Sequence, residues 1–241
     1  MKISYKNQFQ VGDSNPSSLF PVPFSPLFPL PFPSRKGFTI IEMLVVIGII
    51  VVLSGAGLVG YSSAIRVAQR TKGNELVHDA QVALVQALQN ENSWPMAILK
   101  EGASGDGKMT SEVGASLVKR GLFSGSCEEQ EDADGVKTYR MTGLDKFGIV
   151  SPWAMAVIKQ RINATSLGDN SRIPSGGTLG DHRLRFAIDD DYDGLTKVNV
   201  SHSGKGSATV RASACVWCCG YDGKFGTKDD IFSWTSAQEV K

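Results

Sequence analysis

The chain has 241 residues, with 25 Lys and Arg side chains against 24 Asp and Glu, and its formal net charge is +1. This length fits one or two domains, and the balanced charge argues against the basic stripe that marks most nucleic-acid-binding surfaces. The histidines, His78, His182 and His202, lie far apart in the sequence and beside no evident metal partner. Ordinary polar or surface roles are therefore favoured for each of them.

The first 34 residues do not predict a folded element. The stretch FPVPFSPLFPLPFPS places a proline at nearly every second or third position, and proline breaks helices and central strands. The stretch also lacks the uninterrupted apolar helix of a secretory signal. We interpret it as a processed leader, or in part as the product of a start codon assigned too early.

An apolar segment follows at residues 38–60. Its length of about 23 residues is enough to cross a bilayer core as a helix. Glu42 is its only ionisable side chain, and Arg35 and Lys36 precede it. Cations on the N-terminal side predict that this end stays in the cytoplasm and that the bulk of the protein lies outside. Two arginines that follow the segment weaken this signal without reversing it.

The helix is predicted to continue through residues 61–93. This stretch contains no proline, and its apolar residues recur at helical spacing: Ile65, Ala68, Leu76, Ala80, Ala83, Leu84, Ala87 and Leu88. We expect this face to pack on a globular domain. Gly73 is expected to weaken the helix, by about 1 kcal/mol relative to alanine.

Residues 94–241 predict a small globular head. Helices are expected at 110–120 and 152–162, the first capped by Thr110 or Ser111 and closed by Gly121. From residue 183 onward, RLRFAID, KVNVSH and SATVRASACVWC read as strands. The expected fold class is α+β, with a long N-terminal helix packed on a small antiparallel sheet.

The position of Glu42 has an electrostatic explanation. A charged side chain inside a lipid-embedded helix costs about 2.5–3.5 kcal/mol on insertion scales. Cleavage after Gly37 would leave a positively charged amine on Phe38, one helical turn from Glu42. The carboxylate could neutralise its own amine or that of a neighbouring subunit, and the second option would make it a docking device.

The stretch RKGFTIIEMLVVIGII resembles the N-terminal processing motif of type IV prepilins and type II secretion pseudopilins, without a break from Lys36 to Leu44. The resemblance implies that a prepilin peptidase cleaves after Gly37 and N-methylates Phe38, and that Glu42 is the assembly carboxylate. It also implies filaments of many subunits, with the helices in the core and the heads outside. The expected segments are a leader (1–37), an assembly helix (38–60), its amphipathic continuation (61–93) and the head (94–241).

The C-terminal loop GYDGKFGTKDDIFSW crowds three carboxylates, Asp222, Asp229 and Asp230, into one turn-rich stretch. Ca²⁺ binds six to eight oxygens and would relieve their repulsion; a solvated acidic turn is the alternative. The loop is similar to the calcium loop of major pseudopilins. That resemblance implies the three Asp side chains as ligands, carbonyls near Cys219 and Ile231 completing the shell, and Trp234 packing the loop on the head.

A second acidic stretch, IDDDYDG at residues 188–194, matches the opening of an EF-hand loop. Val200 stands where that loop needs a glutamate, so a β-turn is the favoured interpretation. Cys215, Cys218 and Cys219 contain a C-x-x-C spacing but lie in an apolar, strand-like run. Structural cysteines are favoured for them, as for Cys127, with any disulfide pairing open.

No enzyme motif stands out, since the chain contains no G-x-S-x-G, H-E-x-x-H or P-loop. The favoured function is a structural subunit of a type IV pilus or a pseudopilus, with no chemistry of its own. Its expected partners are the prepilin peptidase, other pilin or pseudopilin subunits and an inner-membrane assembly platform. The alternative is a membrane-tethered periplasmic module that binds calcium or another ligand and does not polymerise.

Overall fold

The computed structural model describes residues 37–131, 137–161, 167–204 and 206–240. The predicted leader therefore lies outside the described residues, apart from Gly37. The chain divides into two units, Met1–Ile50 and Val51–Lys241. In the first unit the described residues form the start of the long helix, and the second contains the rest of that helix and the head.

The fold is α+β, as the sequence predicts. The helices are α1 (Ile40–Glu91), α2 (Met96–Gly102), α3 (Ser111–Lys119) and α4 (Pro152–Gln160), with a 3₁₀ turn at Gly143–Asp145. The strands are β1 (Gly107–Lys108), β2 (Cys127–Glu131), β3 (Lys137–Met141), β4 (Arg185–Ile188), β5 (Thr196–Val198), β6 (Ala208–Val210), β7 (Ala214–Cys218), β8 (Ile231–Phe232) and β9 (Glu239–Val240).

The part of α1 that packs on the head is shorter than the sequence indicates. Val77, Ala80, Leu84 and Ala87 are buried at helical spacing. Ile65 is 38% exposed, and Ala68 is also exposed. The prediction that these two residues pack on the domain is wrong, because both are exposed and, from residue 61 onward, the first buried residue of the helix is Gly73, five residues beyond Ala68.

Gly73 has a packing role that the sequence analysis did not foresee. A Cβ at this position would lie 2.6 Å from Cδ1 of Ile231 on β8. The lack of a side chain therefore lets β8 approach the helix. A glycine inside a helix lowers the stability of that helix, but at this position it allows close contact between the helix and the sheet.

The principal sheet is antiparallel, with strand order β1-β4-β7-β8. Its central strand β7 is buried on both faces. Val216 and Cys218 face the cluster that contains the buried stripe of α1, whereas Cys215 and Trp217 pack with Trp234 on the opposite side. This two-sided burial explains why the run ACVWC is continuously apolar.

Two smaller sheets complete the head. Strands β5, β6 and β9 form one, and the β2–β3 hairpin pairs Cys127 with Met141 and Glu131 with Lys137. Strands are found in each of the three segments expected after residue 183, although β5 includes only Lys197 and Val198 of KVNVSH and SATVRASACVWC divides into β6 and β7. The hairpin was missed, because CEEQE offers neither apolar alternation nor β-branched residues.

The two predicted head helices are confirmed. The Thr110 hydroxyl accepts a hydrogen bond from Val113 N–H at 3.5 Å, and Gly121, with φ +69°, follows the end of α3. Ser151 caps α4 in the same way, accepting from Ala154 N–H. Helix α4 ends at Gln160, two residues before the expected end, which lies outside the described residues.

Among the described residues, no helix combines the length and the apolar character that a membrane crossing needs. The transmembrane role of residues 38–60 therefore stays a prediction.

Candidate functional site

The N-terminal motif forms a capping box at the start of α1. Thr39 N–H and the Thr39 hydroxyl both donate to Oε2 of Glu42, at 2.8 and 2.9 Å. Glu42 N–H in turn donates to Oγ1 of Thr39 at 3.2 Å. This reciprocal pair satisfies backbone donors that a helix N-terminus otherwise leaves open.

The capping box adds Thr39 to the functional residues, and the sequence analysis did not assign it a role. The signal was present, since T-x-x-E before an apolar run is the sequence signature of this cap. The box fixes the direction of the Glu42 carboxylate towards the helix start. Gly37 and Phe38, the predicted processing residues, are exposed immediately before it.

The large apolar side chains around and after the box are exposed. Phe38 is 72% exposed and Ile40 85% exposed. Along α1 the same holds for a run of large apolar residues: Ile41, Met43, Leu44, Val45, Val46, Ile47, Ile49, Ile50, Val51, Val52 and Leu53. A surface of this kind normally marks contact with another protein or with a membrane.

The acidic C-terminal loop holds its carboxylates through its own donors. Asp230 accepts from the N–H groups of Gly226 and Thr227, at 2.6 and 3.2 Å. Asp229 accepts from the Thr227 hydroxyl at 2.6 Å and from Asp222 N–H at 3.4 Å. Each carboxylate is therefore oriented by hydrogen bonds within the loop.

The pKa values of Asp229 and Asp230 are shifted in opposite directions from the ordinary value of an aspartate. Burial raises the pKa of Asp230 even though backbone N–H groups of the loop oppose the shift. Burial acts in the same direction on Asp229, but hydrogen bonds from the Thr227 hydroxyl and from backbone N–H groups outweigh it and lower its pKa. A cation would relieve the buried charge on Asp230, whereas the loop already stabilises ionised Asp229.

The loop fits Ca²⁺ in part. Asp222 N–H donates to the Asp229 carboxylate, and both side chains are partly exposed, whereas Asp230 is buried and turned onto backbone N–H groups. Ile231 is held in β8 opposite Cys218. Among the described residues, the three carboxylates whose oxygens lie close enough together to share one cation are those of Asp189, Asp191 and Asp193 rather than those of this loop. The calcium prediction for the loop stays a prediction.

The loop is fastened to the head on two sides. Trp234 is buried and meets the edge of Trp217, with ring centroids 5.8 Å apart, as the sequence analysis expected. On the other side a Cβ at Gly223 would lie 2.6 Å from the carbonyl oxygen of Gly176 and 2.8 Å from Nε2 of His182. Gly223, whose φ is +68°, lets the loop backbone lie directly on the neighbouring loop.

His182 is the centre of a buried polar cluster that sequence reasoning missed. Its Nδ1 lies 2.8 Å from the Ser151 hydroxyl and 3.4 Å from Cys219 Sγ, and its Nε2 lies 2.8 Å from the carbonyl oxygen of Gly176. A carbonyl only accepts, so Nε2 carries the proton and Nδ1 accepts. Burial lowers the pKa of His182, which favours this neutral form.

The cluster joins α4, the Gly176 loop and the end of β7. Ser151, His182 and Cys219 are all buried, and burial raises the pKa of Cys219. A serine, a histidine and a cysteine are thus brought together, but as a neutral hydrogen-bonded network inside the head. Its evident effect is to hold the segment beneath the acidic loop.

The acidic turn at Ile188–Gly194 brings carboxylate oxygens of Asp189, Asp191 and Asp193 within 4.8 Å of one another. Asp189 also accepts from the N–H groups of Asp193 and Gly194, at 3.1 and 2.7 Å. These bonds describe a tight turn, as the sequence analysis favoured. The turn supports the end of α1, because Trp94 Nε1 donates to the Asp189 carbonyl at 2.7 Å.

The C-x-x-C spacing does not form a redox pair. Cys215 and Cys218 lie on opposite faces of β7, in two different core clusters. Burial raises the pKa of each to about 12, which removes the thiolate that redox chemistry requires. These cysteines are structural, as the sequence analysis favoured.

Comparison with protein families gives one finding. Residues 33–58 match the family model described as the prokaryotic N-terminal methylation motif. Comparisons with curated proteins and with solved structures gave no match. The matched segment contains Gly37, Phe38, the Thr39–Glu42 capping box and most of the exposed apolar run, and it supports a protein of the type IV prepilin and pseudopilin type.

Proposed function

We propose that the chain is a structural subunit of a type IV pilus-like filament or a type II secretion pseudopilus. The observation that carries this proposal is the methylation motif, with one oriented carboxylate at the head of an exposed apolar helix. A prepilin peptidase cuts after Gly37 and methylates Phe38. The matured subunit then polymerises through the N-terminal part of α1.

The proposed role of Glu42 rests on charge balance. Cleavage creates an ammonium group on Phe38, and an unpaired carboxylate in lipid is unfavourable by about 2.5–3.5 kcal/mol. Pairing Glu42 with the amine of a neighbouring subunit removes this cost and sets the axial register. The capping box holds the carboxylate at the helix start, where such an amine would meet it.

The proposed location follows from the same motif. Residues 38–60 anchor the precursor in a bacterial inner membrane, and the head lies in the periplasm until assembly carries the subunit into a pseudopilus or a surface pilus. The proposed partners are the prepilin peptidase, other pilin or pseudopilin subunits and the inner-membrane assembly platform. The function requires no catalysis by the chain.

N-terminal mass spectrometry of the protein from a host that contains a prepilin peptidase tests the processing step. We expect the mature chain to begin at N-methylated Phe38. A matched host without the peptidase should retain the leader. A mature N-terminus at another residue would overturn the proposed processing.

The alternative function is a membrane-tethered periplasmic module that binds calcium or another ligand. It is favoured by the acidic loop, whose Asp222 and Asp229 are partly exposed. Replacing residues 38–60 with an unrelated apolar helix separates the two functions. Loss of assembly supports the filament, whereas function that survives the exchange supports the tether.

We also propose that the acidic loop binds Ca²⁺ through Asp222, Asp229 and Asp230, with carbonyls near Cys219 and Ile231. At a free Ca²⁺ concentration 100 times the dissociation constant, binding would stabilise the head by about 2.7 kcal/mol. Thermal unfolding of the full chain in Ca²⁺ and in EDTA measures this effect. The Asp229→Asn variant should lose it and the Asp191→Asn variant should keep it; the reverse result would assign the cation to the other acidic turn.

A further inference from the structure

A polar cavity of about 250 Å³ lies in the head beside β4 and β7. Arg185 and Trp217 are opposite one another on these two strands, so their side chains leave the sheet on the same face, and both line the cavity. Asp106, before β1, and Asn199, after β5, line it as well, and Phe225 of the acidic loop is a further wall residue. Residues far apart in the sequence are thus brought around one space.

The Arg185 guanidinium is held in place from two sides. Its Nη1 donates to Oδ2 of Asp106 at 2.6 Å, and its Cζ lies 4.9 Å from the centre of the Phe225 ring. The side chain is only 14% exposed. The ion pair and the cation–π contact therefore fix the direction in which the remaining N–H groups point.

One donor of this guanidinium has no acceptor in the described part of the chain. Nε of Arg185 is buried, and none of the described residues places an acceptor within hydrogen-bond distance of it. Buried donors are normally paired, because an unpaired one loses its hydrogen bonds to water without replacement. Nε–H points in the same direction as one N–H of Nη2, so the two form a fork of donors. Since Arg185 lines the cavity, a molecule bound there can supply an acceptor.

The charges at the cavity favour a neutral ligand. Of the described residues that line it, Asp106 and Arg185 are the ionisable ones, and they offset each other. An anion would be repelled by the Asp106 carboxylate, and a cation would be repelled by the guanidinium. The lining therefore carries no net charge that would select for an ion.

The hydrogen-bonding groups of the cavity favour hydroxyls. Nε of Arg185 needs an acceptor, the ionised Asp106 carboxylate offers only acceptors, and the Asn199 amide offers both. A hydroxyl group donates and accepts, so two neighbouring hydroxyls can bond to Arg185 and Asp106 together. Val200 and Phe225 supply apolar contacts for a carbon ring. The volume is smaller than the roughly 300–1,000 Å³ of sites for drug-sized ligands, which limits the ligand to about one ring.

We propose that this cavity binds a neutral sugar ring through adjacent hydroxyl groups. One hydroxyl accepts from the donor fork of Arg185, its neighbour donates to the Asp106 carboxylate, and the ring lies against Phe225. The proposal goes beyond the filament function, because it adds recognition of a carbohydrate to the head and requires no polymer.

Ligand-observed NMR of the full chain, in a detergent without a sugar headgroup, tests the site. The probes are the methyl glycosides of glucose, galactose, mannose and N-acetylglucosamine, with sodium acetate as the anionic probe. We expect at least one glycoside to bind and acetate not to compete with it. Arg185→Lys keeps the positive charge and removes the Nε donor, and it should weaken glycoside binding at least about tenfold.

Arg183→Lys is the matched control. The Arg183 side chain is also 14% exposed and also pairs with one aspartate, Asp169, but it is not among the residues that line the cavity. This variant should bind the glycoside as tightly as the unchanged chain. Equal affinity in the Arg183→Lys and Arg185→Lys variants would overturn the site.

Asp106→Asn keeps the test decisive if Arg185→Lys destabilises the head, because the Asp106 side chain is partly exposed. It should weaken glycoside binding severalfold, since a hydrogen bond to an ionised acceptor is stronger than one to a neutral acceptor. Asp169→Asn, the corresponding change in the partner of Arg183, should leave binding unchanged. Equal binding by these two variants would contradict the role of the Asp106 carboxylate.

The remaining outcomes separate the ligand classes. Binding of acetate alone, lost in Arg185→Lys, would overturn the neutral ligand in favour of an anion. Absence of glycoside binding at about 100 mM would overturn the proposal and leave water as the partner of Nε. Neither result depends on filaments or on cleavage after Gly37, so each leaves the proposed function standing.

Discussion

The two parts of helix α1 use apolar residues in different ways. Between Ile40 and Leu53 the large apolar side chains are exposed on every face. Between Gly73 and Leu88 the buried residues form one stripe, and Gln86 and Gln89 on other faces are exposed. The apolar residues of the helix are therefore in two different environments. In the second part the head covers them, and in the first part they are exposed.

We therefore expect the two parts of α1 to contribute to different properties, the second to the stability of the head and the first to assembly. Burial of the second part stabilises the head through apolar area removed from water. The large apolar side chains of the first part, in contrast, are exposed in the described part of the chain. Substitutions in the two parts should consequently fail in different assays.

The largest expected effect is on assembly. Glu42→Gln keeps the size of the side chain and removes its charge, so it should lower filament yield at least about tenfold, in line with the cost of a few kcal/mol for an unpaired charge in lipid. Filaments sheared from cells and quantified by immunoblot measure this yield. The control is Glu75→Gln on the exposed side of the same helix; normal yield from Glu42→Gln would contradict the assembly role.

The next effect concerns stability. Leu84 is fully buried in the main core cluster, and Leu84→Ala should lower the free energy of unfolding by about 2–5 kcal/mol through lost contacts and a cavity. Ile47→Ala, in the exposed part, should change it by less than about 0.5 kcal/mol. Urea titration of the full chain in detergent compares the two. Equal losses would show that both parts of α1 belong to one folded core.

A smaller effect is expected where the helix meets the sheet through a polar group. Gln81 Nε2 donates to the Ala214 carbonyl oxygen at 2.9 Å, at the start of β7. Gln81→Ala should lower stability by about 1 kcal/mol, because the carbonyl loses its partner in a half-buried site. Gln86→Ala, at an exposed position, serves as the control in the same titration and should change little.

The smallest expected effect is a pH dependence of the head. Burial lowers the pKa of His182, so the unfolded chain binds its proton first, starting near pH 6.5. Stability contributed by this group is full above that value and falls as the pH drops towards the lower folded pKa. The pKa values of Asp189 and Asp230 are raised mainly by burial. At lower pH the folded chain therefore binds protons at these two groups before the unfolded chain does, which increases the stability of the head as the pH falls.

Urea titrations between pH 7.5 and 5 measure this dependence. His182→Gln should flatten the loss of stability over this range, whatever its effect at pH 7.5, since the group that titrates is gone. His78→Gln, at an exposed position on α1, should leave the slope unchanged. An unchanged slope in His182→Gln would contradict the neutral buried state.

The sequence predicted the elements whose signals are local. The Thr110 cap, the strand ACVWC and the helical spacing from Leu76 to Leu88 each follow from neighbouring residues and a single period. It did not predict the β2–β3 hairpin, because the polar strand CEEQE is defined by its partner KTYRM rather than by its own composition. Pairing between distant segments leaves little trace in either segment alone.

The candidate sites show the same limit. The T-x-x-E capping box and the order of Gly37, Phe38 and Glu42 can be recognised in the sequence itself, since these residues are close neighbours along the chain. The cluster of Ser151, His182 and Cys219 could not, because its members are 31 and 37 residues apart. Burial of Ile65 and Ala68 was wrongly predicted, since helical spacing shows that a face exists but not how far the head extends along it.

The opposed directions of Cys215 and Cys218 also bear on how β7 folds. The strand points these two thiols to different sides of the core, so they cannot join in a disulfide without turning one of them away from its cluster. The burial of β7 on both faces therefore does not depend on a bond between these two residues.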